Sequence, residues 1–254
     1  MTTLGNRNLH NPHLDGDAFF WQNGPTGIFL SHGYTATAGE VRLLAESLHQ
    51  KGYTIAAPLL PGHGTHPNDL NRVRWQDWVR AGQKTLDRLF QTCAQVIVGG
   101  ESMGGVLALY LAASHPQVKA ILLYAPAIAL TISPFDRFKL RLIAPFISQM
   151  QRQKLDCPDT WQGYPTLPLK GVLQLLQFQA ATLPWLPKIH QPVQIFQGRL
   201  DQTVAAEAGD IILNGVSSNI KEHHWMEKSH HTILLDVELD EVTAKTLTFL
   251  ERYA

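Results

Sequence analysis

The chain has 254 residues, 44% of them hydrophobic and 17% charged, the proportions of a globular α/β protein with one large core. Lysine plus arginine equals aspartate plus glutamate at 21 each, which excludes an overall field that would draw the chain to nucleic acid or an anionic membrane. The polar start, Met1 to His10, has no apolar run of the secretory kind, no stretch approaches the roughly 18 apolar residues of a membrane span, and Cys93 and Cys157 lie in different kinds of segment, so a cytoplasmic protein with two reduced thiols is expected.

In chain order, a strand is predicted at Gly27–Ser31, a helix over Gly39–Gln50 and a strand at Tyr53–Leu59. A helix over Trp75–Phe90, a strand at Gln95–Gly99, a helix over Met103–Ser114 and a strand at Val118–Tyr124 continue the βα alternation, which implies a mostly parallel sheet covered by helices on both faces. Between about Ile128 and Lys188 the rhythm breaks into short pieces punctuated by Pro134, Pro145, Pro158, Pro165, Pro168, Pro184 and Pro187, as an insertion would. It resumes with a strand at Pro192–Gln197, a helix around Val204–Leu213, a strand at Ile220–Met226 and a helix over Val237–Arg252. The predicted organisation is a core of residues 1–127 and 189–254 with an inserted segment at 128–188.

Gly100-Glu101-Ser102-Met103-Gly104 is a GxSxG placed where a buried strand ends and an apolar helix begins. Such a turn strains the central residue, needs glycines on either side, and lifts the serine above the sheet at a helix N-terminus that favours developing negative charge. A plain helix cap is the alternative; the strand before it and the partners downstream favour a nucleophile. A serine hydroxyl needs a histidine to take its proton and a carboxylate to orient the imidazole, and after this elbow both are expected on later strand ends. Asp201 follows the strand at Pro192–Gln197 and competes with a helix-capping role. Two adjacent histidines, His230 and His231, occupy the loop after Ile220–Met226; His223 and His224 lie inside that strand, where ordinary packing accounts for them.

The strand at Gly27–Ser31 runs into His32-Gly33-Tyr34, and a His-Gly pair here commonly starts the loop that supplies an oxyanion donor. The backbone N–H groups of Tyr34 and Met103 are assigned as the two donors, with His32 and His63 read as hydrogen-bonded structural residues. No His, Cys, Asp or Glu cluster has zinc-site spacing, and the chemistry requires no metal or organic cofactor.

These motifs together resemble the α/β-hydrolase superfamily, and in detail the bacterial carboxylesterases and monoacylglycerol lipases. The matching pieces are SHGYTAT at Ser31–Thr37, PLLPGHG at Pro58–Gly64, GGESMGG at Gly99–Gly105, GRLDQTV at Gly198–Val204 and EKSHHTILLD at Glu227–Asp236. The family's last motif reads Ser, any residue, His, which selects His231 over His230. The resemblance implies hydrolysis of short- to medium-chain acyl esters or monoacylglycerols through Ser102, Asp201 and His231, with a thioesterase, acyltransferase or peptidase on the same triad, or a non-catalytic ligand-binding module, as alternatives. It also implies a small cap after the sixth strand, matching the break at 128–188.

Phe135, Phe138, Phe146, Trp161, Tyr164, Phe178 and Trp185 offer an apolar lining for an acyl pocket, although cap packing accounts for most of them equally well. Arg137, Lys139, Arg141, Arg152 and Lys154 read as a solvated face, or as a patch attracted to anionic lipid. Glu101 departs from the hydrophobic residue that the family more often places before the serine. Its alternatives are a structural role, a pairing with a nearby cation, or a charge that raises the pKa of the histidine.

Overall fold

A computed structural model describes residues 6–151 and 158–253; Arg152, Lys154 and Cys157 lie outside the described residues. The main sheet has seven strands: β1 (Phe19–Trp21), β2 (Thr26–Ser31), β3 (Thr54–Ala57), β4 (Gln95–Glu101), β5 (Ile121–Tyr124), β8 (Val193–Gly198) and β9 (Lys221–Met226). Their spatial order is β1-β3-β2-β4-β5-β8-β9, and only β1 runs antiparallel to its neighbour. Three residues of β1 at the sheet edge carry too short a pattern to be read from sequence, and β1 was not among the predicted strands.

Side-chain alternation explains why the central strands read as continuous apolar runs. Val96 and Val98 of β4 and Ile121 and Leu123 of β5 face one core, whereas Ile97, Leu122 and Tyr124 face the other. The first core packs against α3 (Trp75–Thr92) and α4 (Met103–Ser114), and the second against α1 (Arg42–Gln50) and α8 (Leu239–Tyr253). Helix α4 is apolar all round because it is buried along nearly its whole length against the sheet, α3 and α6 (Leu169–Thr182). Among the described residues no helix is long and apolar enough to cross a membrane.

Most predicted elements are present with boundaries displaced by a few residues. The helix expected over Gly39–Gln50 starts as a 3-10 turn at Ala38–Val41 before α1. The strand expected from Val118 begins at Ile121, because Val118 N–H donates to His115 O in a turn. The helix expected around Val204–Leu213 is α7 at Ala208–Gly215. Its late start has a local cause: Asp201 Oδ1 accepts the N–H groups of Thr203 (2.7 Å) and Val204 (3.0 Å) in a turn, so Asp201 does not cap a helix.

The chain leaves the sheet after β5 and re-enters at its immediate neighbour β8, in register from Ile121 opposite Val193. Counting the described strands this exit follows the fifth, one short of the sixth that the resemblance implies. Between them lie α5 (Pro134–Ile143), a two-stranded ribbon of β6 (Gln149–Gln151) and β7 (Thr166–Pro168), helix α6 and a 3-10 turn at Leu183–Lys188. The chain order around β2 places β3 on one side and β4 on the other. Crevices at the carboxyl ends of strands at such a reversal are where α/β sheets bind ligands.

Candidate active site

Ser102 stands between the end of β4 and the start of α4 with φ 55° and ψ −115°. A non-glycine residue in that region stores about 1–3 kcal/mol of strain, which the surrounding packing must hold. Two glycines make the turn possible. A Cβ on Gly100 would lie 2.5 Å from the Gly104 carbonyl, and one on Gly104 would lie 2.0 Å from Ser31 O, where α4 presses on the end of β2.

His231 Nε2 lies 2.9 Å from Ser102 Oγ, and its Nδ1 lies 2.8 Å from Asp201 Oδ2. The three residues come from the carboxyl ends of β4, β8 and β9, and the hydrogen bonds form one continuous relay. The side chain of Asp201 is almost fully buried. Burial by itself would raise its pKa, but the charge and hydrogen bond of His231, with the N–H groups of Val204 and Thr203, outweigh burial and hold the carboxyl below its ordinary value. Such a relay can draw the proton from the hydroxyl and carry it on an imidazole steadied by the carboxylate. His230 points elsewhere: its N–H donates to Asp236 Oδ2 at 2.7 Å, and its ring lies 3.2 Å from the same oxygen.

The loop His32–Tyr34 packs directly on the serine, since a Cβ on Gly33 would lie 3.0 Å from Ser102 Cβ. Gly33 N–H donates to Glu40 Oε2 at 2.5 Å, which fixes the turn that carries the Tyr34 N–H. Met103 is the first residue of α4, where main-chain N–H groups have no carbonyl a turn earlier to bond. The Tyr34 hydroxyl donates to Pro168 O at 2.5 Å, tying this loop to the start of α6.

His32 is fully buried, its Nδ1 donating to Gly33 O and its Nε2 accepting from Leu60 N–H. Burial lowers its pKa to about 4, only partly opposed by the Gly33 carbonyl, so it is a neutral structural residue. His63 stacks edge-on against it and is likewise held well below the ordinary histidine range, by burial and then by His32. His224 stacks on Phe196, and His223 lies beside Trp225.

Several aromatic residues offered as acyl-pocket lining occupy other places. Phe135, Phe138 and Phe146 are 64%, 57% and 89% exposed, because they sit on the outer face of α5 and the turn after it. Tyr164 and Phe178 are buried in the main core, and Trp185 packs against it. Trp161 is buried with Ala36 and Leu235, and its indole N–H donates to Glu40 Oε1 at 3.2 Å.

Two acids below the elbow carry more of the site than their sequence context reveals. Glu40 reads as one polar residue in an amphipathic stretch, and only its burial exposes its grip on Gly33. Glu101 is fully buried, accepts the N–H of Leu234 at 3.1 Å, and meets no cation among the described residues. Among the described residues no group of three or more His, Cys, Asp or Glu side chains is arranged to hold a metal ion. A cleft of about 1030 Å³ lies apart from Ser102, between the β1 edge and α3, and its walls contain no histidine.

Residues 26–238 match the family described as serine aminopeptidase, S33. The chain is 34% identical to a thermostable monoacylglycerol lipase of Bacillus sp. strain H-257 over 96% of this chain and 98% of that protein. It is 26% identical to a carboxylesterase of Bacillus subtilis over 92% and 96% of the two chains. A solved structure from the study of LipS and LipT, two metagenome-derived lipolytic enzymes, superposes with a TM-score of 0.86 at 27% identity and covers 93% of this chain and 98% of its own.

Proposed function

Because the chain belongs to the serine aminopeptidase S33 family of α/β-hydrolases and is a serine ester hydrolase, we propose that Ser102 is its nucleophile, His231 its general base and acid, and Asp201 the carboxylate that orients the imidazole. The observation that carries this reading is the unbroken relay from Asp201 through His231 to a strained Ser102 at the strand end. The Ser102 hydroxyl attacks the ester carbonyl as His231 Nε2 takes its proton, and the oxygen's negative charge is met by the N–H groups of Tyr34 and Met103. His231 then protonates the departing alcohol, leaving an acyl-Ser102. Water deprotonated by His231 attacks that ester, and the acid leaves as the serine regains its proton.

The substrates are short- to medium-chain acyl esters or monoacylglycerols, a reading supported by the names of the relatives that span nearly the whole chain. Residues 128–188 act as a cap over a core of 1–127 and 189–254. Support for that division comes from the adjacency of β5 and β8, and from the ties of Pro168 to Tyr34 and Trp161 to Glu40. The cap's outer face carries Phe135, Phe138, Leu142 and Phe146 at helical spacing, all more than half exposed, with Arg137, Lys139 and Arg141 between them. This patch suits contact with aggregated or membrane-borne substrate, where apolar burial and attraction to anionic headgroups act together.

Ser102→Ala is expected to abolish hydrolysis of p-nitrophenyl esters without loss of fold, and a fluorophosphonate is expected to label Ser102 alone. Undiminished turnover, or label on another residue, refutes the assignment. Turnover on matched esters, thioesters and amides separates ester cleavage from thioester or peptide chemistry on the same groups.

A further inference from the structure

We propose that Glu101 is a positioning residue for ester cleavage, its carboxyl sealed beneath Ser102 and bracing the turn behind His231 so that the imidazole stays in line with the hydroxyl. The proposal rests on the roles given above to Ser102 and His231. Glu101 is the last residue of β4, paired with Tyr124 of β5, so its backbone is fixed on the strand that delivers the serine. Its Oε1 accepts the N–H of Leu234 in the 3-10 turn Ile233–Leu235. That turn is joined to the histidine itself, because Ile233 N–H donates to His231 O at 3.0 Å. One carboxyl group therefore links the strand behind the nucleophile to the peptide unit of the histidine.

The surroundings also determine how the brace works. Glu101 has no exposed surface, and its Oε2 has no hydrogen-bond partner among the described residues. The titratable groups around it are Glu40 of the 3-10 turn before α1, Tyr124 of β5 and Asp201 of the loop after β8. None of them is a cation. Burial first, and then the charge of Glu40, push the Glu101 pKa well above the ordinary carboxylate range, with the N–H groups of Leu234 and Ile233 pulling less strongly the other way. Both causes favour the protonated form of Glu101. In that form it supplies an acceptor to the turn without placing a further negative charge beside the Asp201–His231 pair, whose proton affinity the reaction depends on.

Glu40 does the corresponding work for the oxyanion loop, where it holds Gly33. The two carboxyls divide the task, one securing the oxyanion loop and the other the histidine turn. A hydrophobic residue at position 101 would leave the buried Leu234 N–H without its acceptor, and the turn would shift to find another.

The test compares Glu101→Leu and Glu101→Gln with the parent enzyme on a p-nitrophenyl ester, with thermal melts to establish folding and a pH profile of kcat/KM. Glu101→Leu is expected to lower kcat about tenfold to a hundredfold with KM within about twofold, the cost of a misaligned base. Glu101→Gln, neutral and nearly isosteric, is expected to stay within about threefold of the parent, with the acid limb of its profile unmoved. A folded Glu101→Leu enzyme with parental kcat overturns the proposal. So does a Glu101→Gln enzyme that is as impaired as the leucine variant, or whose acid limb moves to lower pH by about one unit, since the parent would then be using a charge. If Glu101→Leu fails to fold, the glutamine variant decides: a folded Glu101→Gln enzyme with kcat more than about tenfold below the parent, or with an acid limb lower by about one unit, overturns the proposal. An active Ser102→Ala enzyme would sink the underlying triad reading, whereas an inactive Ser102→Ala beside a fully active Glu101→Leu sinks only the brace.

Discussion

Asp201→Asn changes one atom and is expected to remove most of the activity, and the structure shows why the amide has no harmless orientation. Oδ1 of Asp201 already accepts two N–H groups, those of Thr203 and Val204, while Oδ2 faces His231 Nδ1 at 2.8 Å. Turning the amide nitrogen toward Thr203 and Val204 would set donor against donor twice, and the Val204 N–H, away from solvent, would by itself cost about 1–3 kcal/mol when left unmet. The amide oxygen therefore stays at the Oδ1 position and the nitrogen faces His231. Nδ1 must then accept, which moves the imidazole proton to Nε2. That atom lies 2.9 Å from Ser102 Oγ and can no longer take the serine's proton. A wrong tautomer of this kind costs about ten-thousand-fold in kcat, or about 5 kcal/mol of barrier. The assay is steady-state hydrolysis of p-nitrophenyl butyrate with a thermal melt alongside. A folded Asp201→Asn enzyme within about tenfold of the parent would refute this account of the orienting carboxylate.

Two further outcomes follow from burial and exposure. His32 titrates near 4 in the folded chain against 6.5 unfolded, so the unfolded state binds the extra proton between those values and stability falls as pH drops from 6.5. From about pH 7 to about pH 5 this one residue should cost about 2 kcal/mol in urea unfolding, with His63 adding to it, and an unchanged free energy over that interval would contradict a buried neutral His32. Phe146→Ser, at the most exposed position of the cap's apolar patch, should weaken sedimentation with phosphatidylglycerol vesicles while leaving turnover of a dissolved ester within about twofold. Raising salt from about 50 to about 500 mM should weaken binding as well, and vesicle binding indifferent to both changes would show that another surface makes the contact.

The fold class was legible because the central strands, buried on both faces, read as short apolar runs, and most of the helices packed on them, α1, α3 and α8 among them, are amphipathic. The elbow was legible for a different reason. Its glycines are required because a Cβ on Gly104 would meet Ser31 O at 2.0 Å, so the motif records how closely the start of α4 approaches the end of β2. Asp201 was nominated by motif and chain order and His231 by the family resemblance, each just beyond a strand end, and the structure places their side chains 2.8 Å apart. Less was readable in the stretch 128–188, where Phe146 and Phe178 look alike as residues yet one is 89% exposed and the other fully buried.

What the sequence determined by itself was the βα order and the strand-to-helix turn at Ser102, patterns carried by near neighbours in the chain; only tertiary packing brings Asp201 and His231, from distant loops, into hydrogen-bond reach of one another and of Ser102. The tertiary structure alone decided what the two buried acids do. Glu40 meets Gly33 seven residues away and Trp161 across the cap, and Glu101 meets a turn 133 residues downstream. Whether a carboxyl stands in solvent or is buried against a main-chain N–H depends on what the distant chain packs around it, and burial raises its proton affinity.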